Sequence, residues 1–214
     1  MLIAIDGPAG AGKSTVARRV ADALGFTYLD SGSMYRSVAL AAARSGRAPA
    51  EIAASLQIGL GERVTVDGRD VTEEIRTPEV TEGASRAAAD PAVREAMVAE
   101  QRRIASSGNW VIEGRDIASV VAPDAAVKVF LTASPEERAR RRAAQTGADP
   151  ATVLAEQSSR DERDRTRAHS PLAPAPGAVV LDTTGLDLDE VVERILARVR
   201  QAEGSAPPAG PSHG

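Results

Sequence analysis

The sequence predicts an α/β fold: a five-stranded parallel sheet flanked by helices on both faces. Three observations predict it. Short apolar runs alternate with longer amphipathic stretches, the pattern of parallel strands joined by crossover helices. The first such run leads directly into a glycine-rich turn, GPAGAGKS, that opens a helix. The 214 residues are 43% hydrophobic and 26% charged, an ordinary globular mix with enough chain for one substantial core.

The elements follow in order. Leu2 to Ile5 reads as a buried strand, and KSTVARRVADAL as a helix stopped by Gly25. FTYL at 26–29 is a second strand, and 33–45 a second helix. RVTV (63–66) and RDVT (69–72) flank Asp67-Gly68, a strong hairpin signal. The stretch from 46 to 90 breaks the alternation and reads as an insert. Asp90-Pro91 starts a helix, with Asp as cap and Pro at the first position, that runs to about Ser106. Trp110 to Ile112 and Ala125 to Leu131 are the third and fourth strands. Ser134-Pro135-Glu136-Glu137 is a capping box opening an arginine-rich helix, and Asp149-Pro150 opens another. Ala178 to Leu181 is the fifth strand. Asp187 caps a last helix whose apolar stripe is Val191, Val192, Ile195, Leu196 and Val199. Residues 1–203 then form a single domain, and 204–214, GSAPPAGPSHG, read as a disordered tail.

Composition narrows the function. The net charge of -4 argues against a general nucleic-acid binder, and 2% aromatics leave little to stack on bases. Cysteine is absent and there are two histidines, a poor basis for a zinc site. No apolar run approaches membrane-spanning length, and the N-terminus lacks the basic start of a secretory leader. The expectation is a cytoplasmic protein with neither a membrane nor a nucleic-acid partner.

Gly7, Pro8, Ala9, Gly10, Ala11, Gly12, Lys13 and Ser14 match G-x-x-x-x-G-K-[ST] between a strand and a helix, the context that motif requires. Such a loop curls so that backbone N–H groups point at phosphate oxygens, and the helix N-terminus adds positive partial charge. Lys13 is one of only two lysines among 26 basic residues; the rest are arginine. Its place in the motif calls for a compact ammonium at the β/γ-phosphates. Ser14 is the candidate Mg²⁺ ligand, and Thr15 a further phosphate contact. The chain has no N-K-x-D base-reading string of GTPases. No apolar strand ending in Asp stands out as a partner for the loop; the nearest is Val111-Ile112-Glu113.

Two further segments follow predicted strands and so face the same crevice. Asp30-Ser31-Gly32-Ser33-Met34-Tyr35-Arg36 offers Arg36 to a phosphate, while Ser31 is equally explained as a helix cap. Glu113-Gly114-Arg115-Asp116 offers a bidentate guanidinium and a carboxylate. The runs RARRR (138–142) and RDERDRTR (160–167) resemble the two arms of a lid that supplies cations and excludes water, as phosphoryl transfer requires. Acidic neighbours at Asp161, Glu162 and Asp164 make some of these arginines ordinary solvated pairs. Helical spacing places Arg160, Asp164 and Arg167 on one face. His169 reads as polar surface.

GPAGAGKST, DSGSMYR, EIRTPEV in the insert, EGRD and SRDERDRTRA, in this order from residue 1 to about 200, resemble bacterial cytidylate kinases of the P-loop nucleoside monophosphate kinase superfamily. The resemblance implies transfer of the ATP γ-phosphoryl group to CMP or dCMP with Mg²⁺, by a monomer. It further implies an acceptor-binding region at about 31–109 and a lid at about 133–167. It assigns Ser31, Arg36 and Arg115 to the CMP phosphate region and Ser85, Arg94 and Asp116 to cytosine. It assigns Arg160 and Asp164 to the ribose and Arg167 to phosphate. Catalytic roles fall to Lys13, Arg36, Arg115 and Arg167. Ser85 and Arg94 come from the resemblance alone. The rival acceptors are UMP, AMP, GMP or a non-nucleotide acid, and the rival classes are a nucleotide switch and an RNA-binding protein.

Overall fold

The computed structural model describes residues 1–167 and 170–205. His169 lies outside the described residues, as does the tail from 206 on.

Five parallel strands form the central sheet: β1 (Leu2–Asp6), β2 (Thr27–Asp30), β6 (Trp110–Gly114), β7 (Val127–Thr132) and β8 (Val179–Asp182), in the order β2-β6-β1-β7-β8. The period-two alternation of β1 sorts its side chains between two cores. Ile3 and Ile5 face α1 (Lys13–Leu24) and α8 (Leu188–Ser205), packing with Val16, Val20, Val129, Leu131, Ile195 and Val199. Ala4 faces α2 (Ser31–Ser45) and α5 (Pro91–Ile104), with Leu29, Met34, Val38, Met97 and Ile112. Helices therefore cover both faces, as the alternation predicts. β1 is central, so its C-terminal end feeds the glycine-rich loop into the crevice where strand order reverses.

The insert is more structured than its sequence suggests. It holds α3 (Pro49–Ala53), a small antiparallel sheet of β3 (Ile58–Gly59), β4 (Thr65–Val66) and β5 (Arg69–Asp70), a 3₁₀ turn at Glu74–Arg76, and α4 (Pro78–Ala87). Asp67 and Gly68 both take positive φ, so the predicted hairpin is present, with shorter strands. Val64, Val66, Val71 and Ile75 close a separate small core against Leu40 of α2. Each of these apolar groups is too short to show a period.

Two boundaries move. β6 runs on to Gly114, so Arg115 and Asp116 leave the sheet at its very edge, ahead of a π-helical turn at Ile117–Val121. The last helix extends through Ser205, two residues into the stretch read as tail. The arginine-rich arms are α6 (Pro135–Thr146) and α7 (Pro150–Arg165), capped by Ser134 and Asp149 as their sequences predict.

Candidate active site

Lys13 begins α1 directly after the loop. It is 6% exposed, and its Nζ donates to the Pro8 carbonyl at 2.8 Å. Burial and the nearby Arg115 cation pull its pKa down to about 7, against the opposing pull of Glu113 and Asp6. Ser14 and Thr15 stand exposed beside it. First-turn N–H groups have no partner within a helix and remain available to an anion. The loop does not offer all of its backbone, however. Pro8 has no N–H, and the Ala9 N–H is committed to Asp161 Oδ1 at 3.2 Å. Within the expected stretch 7–15, neither Pro8 nor Ala9 therefore has a free backbone N–H to offer. Gly7 acts sterically: a Cβ there would lie 2.1 Å from the Leu131 carbonyl oxygen.

Two buried carboxylates flank the loop. Glu113, 4% exposed, accepts from the Tyr28 hydroxyl at 2.6 Å and from the Ser14 hydroxyl. Burial raises its pKa, and Asp30 raises it further. Asp6 corrects the sequence reading: β1 itself is an apolar strand ending in Asp. Its oxygens accept the N–H groups of Ile117 and Ala118, each at 2.8 Å, which fixes the turn behind Arg115 and Asp116. Burial pushes its pKa up to about 6 despite those two bonds.

Across the crevice, Asp30 rather than Ser31 caps α2, accepting from Ser33 N at 3.1 Å. Ser31 instead donates to the Glu113 carbonyl at 2.7 Å and ties α2 to β6. Arg36 is held by Asp30 Oδ2 at 2.7 Å, and its Nε is buried without a partner. Arg94 of α5 and Asp116 form a buried ion pair, and Ser85 of α4 lies buried with its hydroxyl unpartnered. Arg115 pairs with Asp164 of α7 at 3.0 Å, and Arg167 takes the other oxygen of the same carboxylate. Burial alone would raise the Asp164 pKa, but Arg115, Arg167 and Arg160 together hold it below the ordinary value. Arg160 carries a second buried, unpartnered Nε; burial and then Arg115 lower its pKa to about 10.

The arginines of the two runs thus separate. Arg160 joins Arg115 and Asp164 from one face of α7, as helical spacing predicts, whereas Arg167 reaches Asp164 from beyond the end of the helix at Arg165. Arg141 bonds Thr183 and approaches Gly12. Arg140, Arg142 and Arg165 are exposed, and Arg163 bridges to Glu82 of α4. Arg138 and Asp161 are buried together, and the solvated reading of Asp161 is wrong.

This grouping predicts a pH dependence. Without a bound anion the Lys13 ammonium prevails below about pH 7 and is lost as pH rises through it. The Kd of a triphosphate ligand at this loop is expected to rise several-fold between about pH 6 and about pH 8.5. Once bound, the phosphates restore the cation, so the saturated complex should form at both ends of that window. Titration with a fluorescent nucleoside triphosphate at both pH values checks this.

Comparison with known proteins fits the geometry. The family model described as "Cytidylate kinase" matches residues 3–201. A "Cytidylate kinase" of Solibacter usitatus is 50% identical over 94% of this chain and 92% of its own. Another, from Pelotomaculum thermopropionicum, is 50% identical over 92% and 95%. Among solved structures, the shikimate kinase of Bacteroides thetaiotaomicron superposes with a TM-score of 0.51 at 15% identity, covering 94% of this chain and 98% of its own, a likeness of fold.

Proposed function

This chain belongs to the cytidylate kinase family, and from that premise we propose that it transfers the γ-phosphoryl group of ATP to a phosphate oxygen of CMP or dCMP. The observation that carries the reading is the pair of buried guanidinium Nε donors, Arg36 and Arg160, left without partners beside Arg115. Clustered cations with spare buried donors suit a polyanion, and they stand opposite the glycine-rich loop that suits a second one.

Each residue then has a task. Gly10–Thr15 and Lys13 hold the donor phosphates. Arg36, Arg115 and Arg167 orient the acceptor phosphate and spread compensating charge over the transferred group. The reaction needs little base catalysis, so positioning and electrostatics carry most of the rate. Asp164 and Arg160 meet the ribose from the lid. Asp116 and Arg94 present a carboxylate beside a guanidinium, which matches the amino donor and ring-nitrogen acceptor of cytosine and opposes the reversed pattern of uracil. Ser85 adds a hydroxyl able to donate or accept. Residues of about 31–109 form the acceptor region, and about 133–167 the lid. Mg²⁺ fits the hard-oxygen pair of Ser14 and Glu113, and when bound with ATP it neutralises charge on the β- and γ-oxygens. One chain carries every residue named, which supports action as a monomer. Among the described residues no helix is long and apolar enough to cross a membrane, which is compatible with the cytoplasmic location proposed here.

The test is ADP release from Mg-ATP in a coupled assay with CMP, dCMP, UMP, AMP, GMP or no acceptor. Strong turnover with CMP and dCMP and weaker turnover with UMP is expected. A purine preference would overturn the roles given to Arg94 and Asp116, and no acceptor-dependent turnover would overturn the kinase reading.

A further inference from the structure

We infer that Arg138 and Asp161 are positioning residues that lock the donor loop to the lid, so that α7 works as a strut between the donor and acceptor halves of the site. The inference rests on the kinase reading but concerns residues to which that reading gives no role.

The contacts are buried and mutually saturating. Asp161, 1% exposed, spends Oδ1 on the Ala9 N–H and Oδ2 on Arg138 Nη1 at 2.5 Å. Arg138, 3% exposed, donates from the same Nη1 to the Ala9 carbonyl at 2.8 Å and from Nε to the Ala133 carbonyl at 3.1 Å. Both polar groups of Ala9 are thereby held by the lid arms. The next loop residue is held by shape. A Cβ on Gly10 would lie 2.6 Å from Gln157 Nε2 and 3.0 Å from the Arg138 Cβ, so α6 and α7 sit directly on the loop.

A solvated ion pair between lid helices would need none of this. Two charges have been taken out of water and spent on one peptide group of the loop, a costly arrangement if its only product were helix–helix adhesion. Asp164 lies three residues further along the same face of α7 and holds Arg115 and Arg167 on the acceptor side. One rigid helix therefore fixes both Ala9 and Arg115. Transfer depends on the distance between the two phosphates, and misplacement by about 1 Å can cost on the order of 10²-fold in rate.

The test uses two variants. In R138M/D161L the pair becomes apolar: no charge is left buried alone, but the Ala9 N–H and the Ala9 and Ala133 carbonyls lose their partners, so some loss of stability accompanies the change. In R138K the charge facing Asp161 stays, but the planar fork that reaches Ala9, Ala133 and Asp161 together is lost. Three readouts are taken: thermal unfolding, binding of a fluorescent ATP analogue without acceptor, and steady-state KM and kcat. We expect R138K to unfold near wild type and R138M/D161L at a lower temperature, and in both a weakening of the ATP analogue by about 10-fold or more and a fall in kcat of roughly 10²-fold. Binding of CMP alone should weaken far less than binding of the ATP analogue, since Arg115 and Asp164 keep each other as partners. If R138M/D161L fails to fold, R138K decides. A variant that unfolds like wild type and also keeps wild-type nucleotide binding and kcat would overturn the inference. Wild-type protein run in parallel separates the two questions: if it does not phosphorylate CMP, the kinase reading fails, whereas the effect on the loop is still read by binding of the ATP analogue.

Discussion

Replacing Lys13 with alanine is expected to lower kcat/KM for ATP by on the order of 10³-fold, the effect of removing one preorganised charge from a dry site. The more telling variant is Lys13→Arg. The ammonium sits 6% exposed, within 2.8 Å of the Pro8 carbonyl, close to Arg115 and Arg160. A planar guanidinium needs more room than that site gives, and its donors point in fixed directions. Lys13→Arg should therefore lose about 10²-fold in kcat/KM while unfolding within a few degrees of wild type. This accounts for a chain that spells almost all its positive charge as arginine yet keeps lysine here. Steady-state kinetics with a melting curve on each variant checks it; wild-type turnover by Lys13→Arg would contradict the assigned role.

The second large effect concerns the base. Asp116→Asn keeps the shape of the side chain but exchanges a carboxylate oxygen for an amino donor, the group that suits uracil. The ratio of kcat/KM for CMP over UMP is expected to fall by about 10- to 100-fold. Arg94→Met should disturb the fold as well, because it strands the Asp116 carboxylate in a buried site, at a cost of roughly 3–5 kcal/mol. Comparing the two separates specificity from stability: Asp116→Asn should move the ratio with the smaller loss of stability. Both variants keeping the wild-type ratio would remove this pair from base reading.

How much of this was legible in the sequence depended on whether the signal was local. The glycine-rich loop is contiguous, and its strand and helix flank it, so its placement and the parallel sheet followed directly. Arg160 and Asp164 were legible through helical spacing; Arg167 reaches the same carboxylate although the helix ends before it, at Arg165. Ser85 and Arg94 were not, because they sit in alanine-rich helices and gain meaning only when α4 and α5 fold over the crevice. Asp6 carries a readable local signal, a carboxylate at the end of an apolar strand, as Glu113 does. Asp161 was obscured by composition. In RDERDRTR the charges look alike, yet Asp161 and Asp164 face inward while Glu162 and Arg165 face water. Helical period separates them, but only tertiary contact shows that the inward face meets Ala9.

The most direct measurement of the central claim follows the phosphoryl group itself. The protein is incubated with γ-labelled ATP, Mg²⁺ and CMP, and the products are separated by chromatography. The account predicts label in CDP, in step with ADP formed, and little in inorganic phosphate. Label released mainly as inorganic phosphate, at a rate indifferent to CMP, would contradict it.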